Sequence, residues 1–76
     1  MTNTSLLKKA IRKSGLKIRM IMDQLQIKSY STLRDKIENR REFTASEIMK
    51  LCEILNLTAE EREAIFFAYD AESYSA

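Results

Sequence analysis

The stretch KIRMIMDQLQIKSYSTLRDKIE, residues 17–38, decides the fold. Ile18, Ile21, Met22 and Leu25 fall at the i, i+3, i+4, i+7 spacing that gives a helix one apolar face. Gln26 to Lys28 read as a polar break. Ser29 then stands where a helix N-cap belongs, ahead of Leu33 and Ile37, so its hydroxyl is expected to cap a second helix. That helix is expected to end at Asn39, because asparagine is the residue other than glycine that best tolerates the left-handed conformation there. Two helices of about two turns each, joined by a few polar residues, make a helix-turn-helix over 17–38.

Three further helices follow on either side. Leu6, Leu7, Ala10 and Ile11 form an apolar stripe that stops at Ser14-Gly15. Thr44 with Glu47 is a capping box, and Phe43 and Ile48 occupy the staple positions around it. Ile48, Leu51, Cys52 and Leu55 give that helix its inner face. Thr58 with Glu61 repeats the box and opens a last helix over 58–69, leaving residues 70–76 as a disordered tail. With no proline and one glycine in 76 residues, turn material for hairpins or phosphate loops is missing. The expectation is an all-α, five-helix fold in a single domain, residues 1–76. Met20, Met22 and Met49 read as flexible core filler and Cys52 as a small buried apolar residue.

Several classes are excluded at this point. One cysteine cannot bridge within the chain, and with no histidine there is no zinc set, so neither metal nor cofactor is implied. There is no histidine base, activated nucleophile or glycine-rich phosphate cradle, so an enzyme is not expected. Lys8, Lys9, Arg12 and Lys13 occupy the place of a secretory signal's apolar core. The longest apolar run, Ala64 to Tyr69, is too short to span a membrane. A soluble, cytoplasmic protein is expected.

The net charge of +2 hides an asymmetry. Residues 1–41 carry eleven basic residues against three acids, a net of +8, while residues 42–76 carry a net of −6. A positive side of this kind steers a protein toward a polyanion. On a helical wheel starting at Tyr30, Leu33 and Ile37 share the inward side, while Ser31, Arg34, Asp35 and Glu38 spread over the outward one. A helix divided in this way can enter the DNA major groove with its N-terminal residues at base edges. Tyr30, Ser31, Arg34 and Asp35 are therefore the candidate base readers. Arg34 can grip guanine through two hydrogen bonds, or instead take a phosphate or pair with Glu38 four residues on. Tyr30 can meet a base or pack under the turn. Asp35 can accept from a cytosine amine or temper a neighbouring arginine. Lys17, Arg19, Lys28, Ser29, Arg40 and Arg41 are the candidate phosphate contacts, which set register and salt dependence.

The residues from Ser14-Gly15-Leu16 to Ile65-Phe66-Phe67-Ala68 also resemble the Cro/repressor (XRE-type) helix-turn-helix family, especially its small prophage regulators. The matching segments are SGLK, LQIKSYSTL, KIENRREFTASEI, LCEILNLTAEE and IFFA. The resemblance implies a five-helix lambda-repressor-like DNA-binding domain acting as a homodimer on an operator in double-stranded DNA. Lys17-Ile18 replaces the family's Thr-Gln, so Lys17 or Arg19 would supply the phosphate contact that the glutamine makes. Met22 replaces a small residue, Gln26 the turn glycine, and Glu38-Asn39 the usual Asn-Gly.

Ile65, Phe66, Phe67 and Tyr69 lie in one consecutive apolar run, so they wrap the last helix, and part of that surface is expected to contact a second copy. A different class remains open beside the DNA reading. The chain could be a protein-binding adaptor, such as an antitoxin or antirepressor, that uses this apolar helix. RNA binding ranks below both, for want of exposed aromatics on which bases could stack.

Overall fold

A computed structural model describes residues 1–67. The expected last turn through Tyr69, the place of Tyr69 in the apolar patch, and the tail 70–76 lie outside the described residues. The described chain forms α1 (Thr4–Ser14), α2 (Ile18–Leu25), α3 (Tyr30–Ile37), α4 (Ala45–Ile54) and α5 (Ala59–Phe66), with no strand among the described residues. α2 packs on α4, and α1 packs on both α3 and α5. Leu7, Ile21, Leu33 and Leu51, one from each of the first four helices, are the fully buried centre.

The helix ends follow from local chemistry. Asn3 caps α1 by accepting from the Leu6 N–H at 3.1 Å. Gly15, at φ 73°, ends it in the left-handed conformation where a side chain is strained. Three non-glycine residues take the same conformation: Gln26, Asn39 and Asn56. After each, the next N–H reaches back five residues, from Ile27 to Met22 O, Arg40 to Asp35 O and Leu57 to Cys52 O. These closures satisfy carbonyls that would otherwise be orphaned at the helix ends. Two of them also fold an apolar side chain back onto the core, Ile27 fully and Leu57 in part. The segment 26–28 is therefore no polar break, because Ile27 is one of the buried core residues.

Both capping boxes form as the spacing predicts, at Thr44 with Glu47 and at Thr58 with Glu61. Phe43 and Ile48 line one hollow, and Phe43 meets Phe66 edge-on with ring centres 6.1 Å apart. Two methionines differ from expectation. Met20 and Met49 point to solvent, Met22 alone packs on the core, and Cys52 is only partly buried. Met20 and Met49 fall off the apolar stripes of α2 and α4, and side-chain direction outweighs apolar character there.

Residues 2–4 strap the bundle. The Thr2 N–H donates to Asn39 Oδ1 at 2.9 Å, and Asn39 Nδ2 donates to Thr2 O at 2.6 Å. Thr4 Oγ1 donates to Ile37 O, and the Asn3 N–H donates to Ile65 O, each at 2.6 Å. Asn39 thus closes α3 and ties it to the N-terminus. Asn39→Gly keeps the backbone conformation and loses the three side-chain bonds, two to Thr2 and a longer one to the Thr4 hydroxyl, at a cost of about 1–2 kcal/mol. Asn39→Ala adds left-handed strain of roughly another 1 kcal/mol. Urea midpoints should fall in the order wild type, glycine, alanine.

α3 is pinned to α4 by Lys36, whose Nζ donates to both Glu47 oxygens at 2.6 and 2.8 Å. Both side chains are only 13% exposed. Burial pushes the Glu47 carboxyl up, but the Lys36 ammonium and the Thr44 N–H and hydroxyl together outweigh it, and the pKa is lowered. Glu61 is lowered as well, chiefly by the Thr58 N–H. Folded pKa values below the unfolded ones give stability that is complete above the ordinary glutamate pKa of 4.5 and lost as pH falls through the folded values. Acid titration should therefore show melting temperature falling below about pH 4.5. Glu47→Gln should flatten much of that fall while lowering stability at neutral pH by about 3 kcal/mol, since Lys36 loses its partner.

Candidate nucleic-acid interface

α3 presents two unlike sides. Leu33 and Ile37 are buried, while Ser31 and Arg34 are exposed and Tyr30 is 54% exposed. The Arg34 guanidinium carbon lies 5.9 Å from the centre of the Tyr30 ring, a cation–π arrangement on the outer surface. Arg34 makes no ion pair among the described residues; Glu38, its expected alternative partner, is taken by Lys8 at 3.7 Å and Arg40 at 3.4 Å. Tyr30 is half exposed and lines a groove with Ile11, Ile18 and Ile37.

Ser29 occupies the N-cap position of α3, yet its side chain makes no capping bond. Its hydroxyl is hydrogen-bonded to that of Ser31 at 2.8 Å. α2 likewise begins at Lys17 with no side-chain cap, and neither helix has an acid in its first turn. α4 and α5, in the acidic half, both begin with a glutamate-bearing box. The first N–H groups of α2 and α3 are thus left without side-chain acceptors, and the partial positive charge there is unopposed.

The candidate phosphate residues divide into groups. Lys17, Arg19, Lys28 and Arg41 are exposed and form no ion pair among the described residues. Arg19 and Lys28 border one hollow with Asp23 and Gln26 at the foot of α2. Arg40 is engaged, by Asp35 at 3.3 Å and by Glu38, so Asp35 tempers an arginine as one of its two readings has it. Sequence reasoning missed Lys8 and Arg12, which share a groove with Tyr30 and Arg34. Their spacing of four residues, flanking Ile11 on one stripe of α1, was the signal available.

The apolar run on α5 requires a correction. Ile65 is 3% and Phe66 4% exposed, so both belong to the chain's own core and are not available to a partner. Phe66 is held against Phe43, and Ile65 faces α1 beside Leu6 and Ala10. Phe67, 44% exposed, remains outside. It shares a hollow with Met49, itself 73% exposed, and with Ile48, Cys52, Arg62 and Glu63. Burial raises the Cys52 thiol pKa, partly opposed by Arg62, and so disfavours the reactive thiolate. Among the described residues no group of His, Cys, Asp or Glu could hold a metal ion, and no helix is long and apolar enough to cross a membrane.

No family model, curated protein or solved structure matches this chain. The functional reading rests on the surfaces just described.

Proposed function

We propose that the chain is a sequence-specific, double-stranded-DNA-binding transcriptional regulator of the Cro/repressor kind. In this reading it is a lambda-repressor-like domain, α2 and α3 are its helix-turn-helix, and it represses by occupying a promoter. The observation that carries the reading is the exposed, uncapped N-terminal half of α3. It offers Tyr30, Ser31 and an Arg34 with no ion pair among the described residues, while Leu33 and Ile37 hold the opposite side in the core. Lys17, Arg19, Lys28 and Arg41 are the phosphate contacts that remain uncommitted, and they would set register on the duplex.

A homodimer would place two copies of α3 about one DNA turn, roughly 34 Å, apart. The surface that supports it is the hollow of Met49 and Phe67 between α4 and α5, with Arg62 and Glu63 beside it as charges that a two-fold axis could pair. The same hollow favours the adaptor reading, because an apolar patch serves a foreign partner equally well.

Selection of duplexes from a random pool, repeated at two salt concentrations, tests the function. The expected result is a recurring site bound with affinity that falls steeply as salt rises. Enrichment of no site, with binding indifferent to salt, would leave the adaptor reading. Phe67→Ser then separates the two: it should weaken duplex binding through loss of the dimer, but abolish activity outright only if the patch is the sole working surface.

A further inference from the structure

Between α1 and α3 the surface opens into a groove of about 320 Å3. Ile11, Ile18 and Ile37 form an apolar floor, Tyr30 stands at one end, and Lys8, Arg12 and Arg34 line the rim. Glu38 is the single acid there among the described residues, and Lys8 and Arg40 already share it. Arg12 and Arg34 have no carboxylate partner among the described residues. Like charges gathered around an apolar groove repel one another, and the arrangement is relieved by an anion that also covers hydrocarbon.

We infer that this groove seats one sugar–phosphate strand of the duplex, making α1 a second contact that does not read sequence. The inference rests on the DNA reading above and extends it to residues outside the helix pair. Charge complementarity selects the occupant. Lys8 and Arg12 stand one turn apart, about 6 Å along α1, and Arg34 joins them from α3, a spread of positive charge that successive phosphates of one strand neutralise together. Deoxyribose presents its C–H face between those phosphates and suits the isoleucine floor. The uncapped start of α2 at Lys17 and Ile18 opens beside the same groove and adds N–H groups for a phosphate. Arg34, stacked on Tyr30 at the lip, marks where strand contact gives way to base contact.

The experiment compares the full chain with the double variant Lys8→Gln/Arg12→Gln on the selected duplex and on a scrambled one, across a salt series. Lys9→Gln/Lys13→Gln is the control, since those lysines line a different hollow with Glu61 and Ala64. The first pair should weaken binding to both duplexes by the same factor. It should also make the plot of log affinity against log salt shallower by about 0.9 for each charge removed, roughly 2 for the pair. The control pair should leave the slope unchanged, and both variants should melt as the wild type does. Methyl signals of Ile11 and Ile18 should shift when duplex is added. An unchanged slope in the first pair, weakening confined to the selected duplex, or still methyl signals would overturn the groove as a strand seat while leaving the DNA reading intact. Wild-type protein that binds neither duplex in a salt-dependent way would overturn that reading and the groove with it. Saturable methyl shifts with sodium benzoate that survive in the presence of duplex would assign the groove to a small anion and overturn the proposal.

Discussion

Arg34→Ala should lower affinity for the selected duplex roughly 5- to 150-fold and relax the preference at one base pair, with the fold kept and the melting temperature down by only a few degrees. The size follows from what a bidentate arginine–guanine contact contributes, about 1–3 kcal/mol. The stability claim follows from the side chain's surroundings. Arg34 is exposed, lacks a carboxylate partner among the described residues, and rests on an exposed Tyr30 ring 5.9 Å away. Losing a cation–π contact at such a site costs about 0.5–1 kcal/mol. Arg34→Lys sharpens the test, because lysine keeps the charge but not the planar fork. If Arg34 reads a base, lysine binds both duplexes with little discrimination; if it holds phosphate, lysine restores both affinity and preference. Arg40→Ala is the contrast. Asp35 and Glu38 already hold that arginine, so its loss should change affinity much less. Equal binding by Arg34→Ala and wild type, measured by titration of labelled duplex at one salt concentration, would remove α3 as the reading helix.

The helices were legible because their ends carry short-range chemistry. Thr44 with Glu47, Thr58 with Glu61, Gly15 and Asn39 each satisfy orphan backbone groups within a few residues, and all four act in the structure as their spacing implies. Ile27 was not legible from periodicity. It lies past the end of α2, where Gln26 turns left-handed and the i, i+3, i+4 pattern no longer applies. The usable signal was the apolar residue that commonly follows a left-handed helix end, which recurs at Leu57 after Asn56.

The candidate site was legible in outline. The inward and outward sides of α3 follow from the wheel, and Leu33, Ile37, Ser31 and Arg34 fall where it places them. Partnerships between elements were not. That Lys36 is spent on Glu47, and that Lys8 and Arg12 approach Arg34, depends on how α1, α3 and α4 pack, while Arg40 is brought back to Asp35 and Glu38 by the left-handed turn at Asn39. The consecutive run Ile65-Phe66-Phe67 misled for a related reason. A short last helix enclosed by α1 and Phe43 buries more of its circumference than an outer helix does. Apolar sequence alone cannot say which neighbour covers it.

Leu33→Ala should be the most damaging single substitution in α3, removing about 2–5 kcal/mol. A domain of this length holds only about 4–11 kcal/mol in total, at 0.05–0.15 kcal/mol per residue. The melting temperature should accordingly fall by at least about 8 °C, since each kcal/mol shifts a domain of this size by roughly 4–8 °C. The void cannot collapse easily. Leu33 is fully buried with Leu7, Ile21 and Leu51, which come from three other helices whose own packing would have to shift. α3, at eight residues, is too short to persist as a helix without that contact. Met20→Ala is the matched control, because that side chain is half exposed, off the apolar stripe of α2, and should change stability by no more than about 0.5 kcal/mol. At a temperature where Leu33→Ala is still folded, duplex binding should also weaken, although Leu33 touches no DNA in the proposed complex. The loss would come from α3 losing one of the two aliphatic anchors that set its pose, so that Arg34 and Tyr30 no longer arrive together. A Leu33→Ala protein that melts with wild type would show that α3 is held by something else, and the division into an anchored side and a reading side would fail with it.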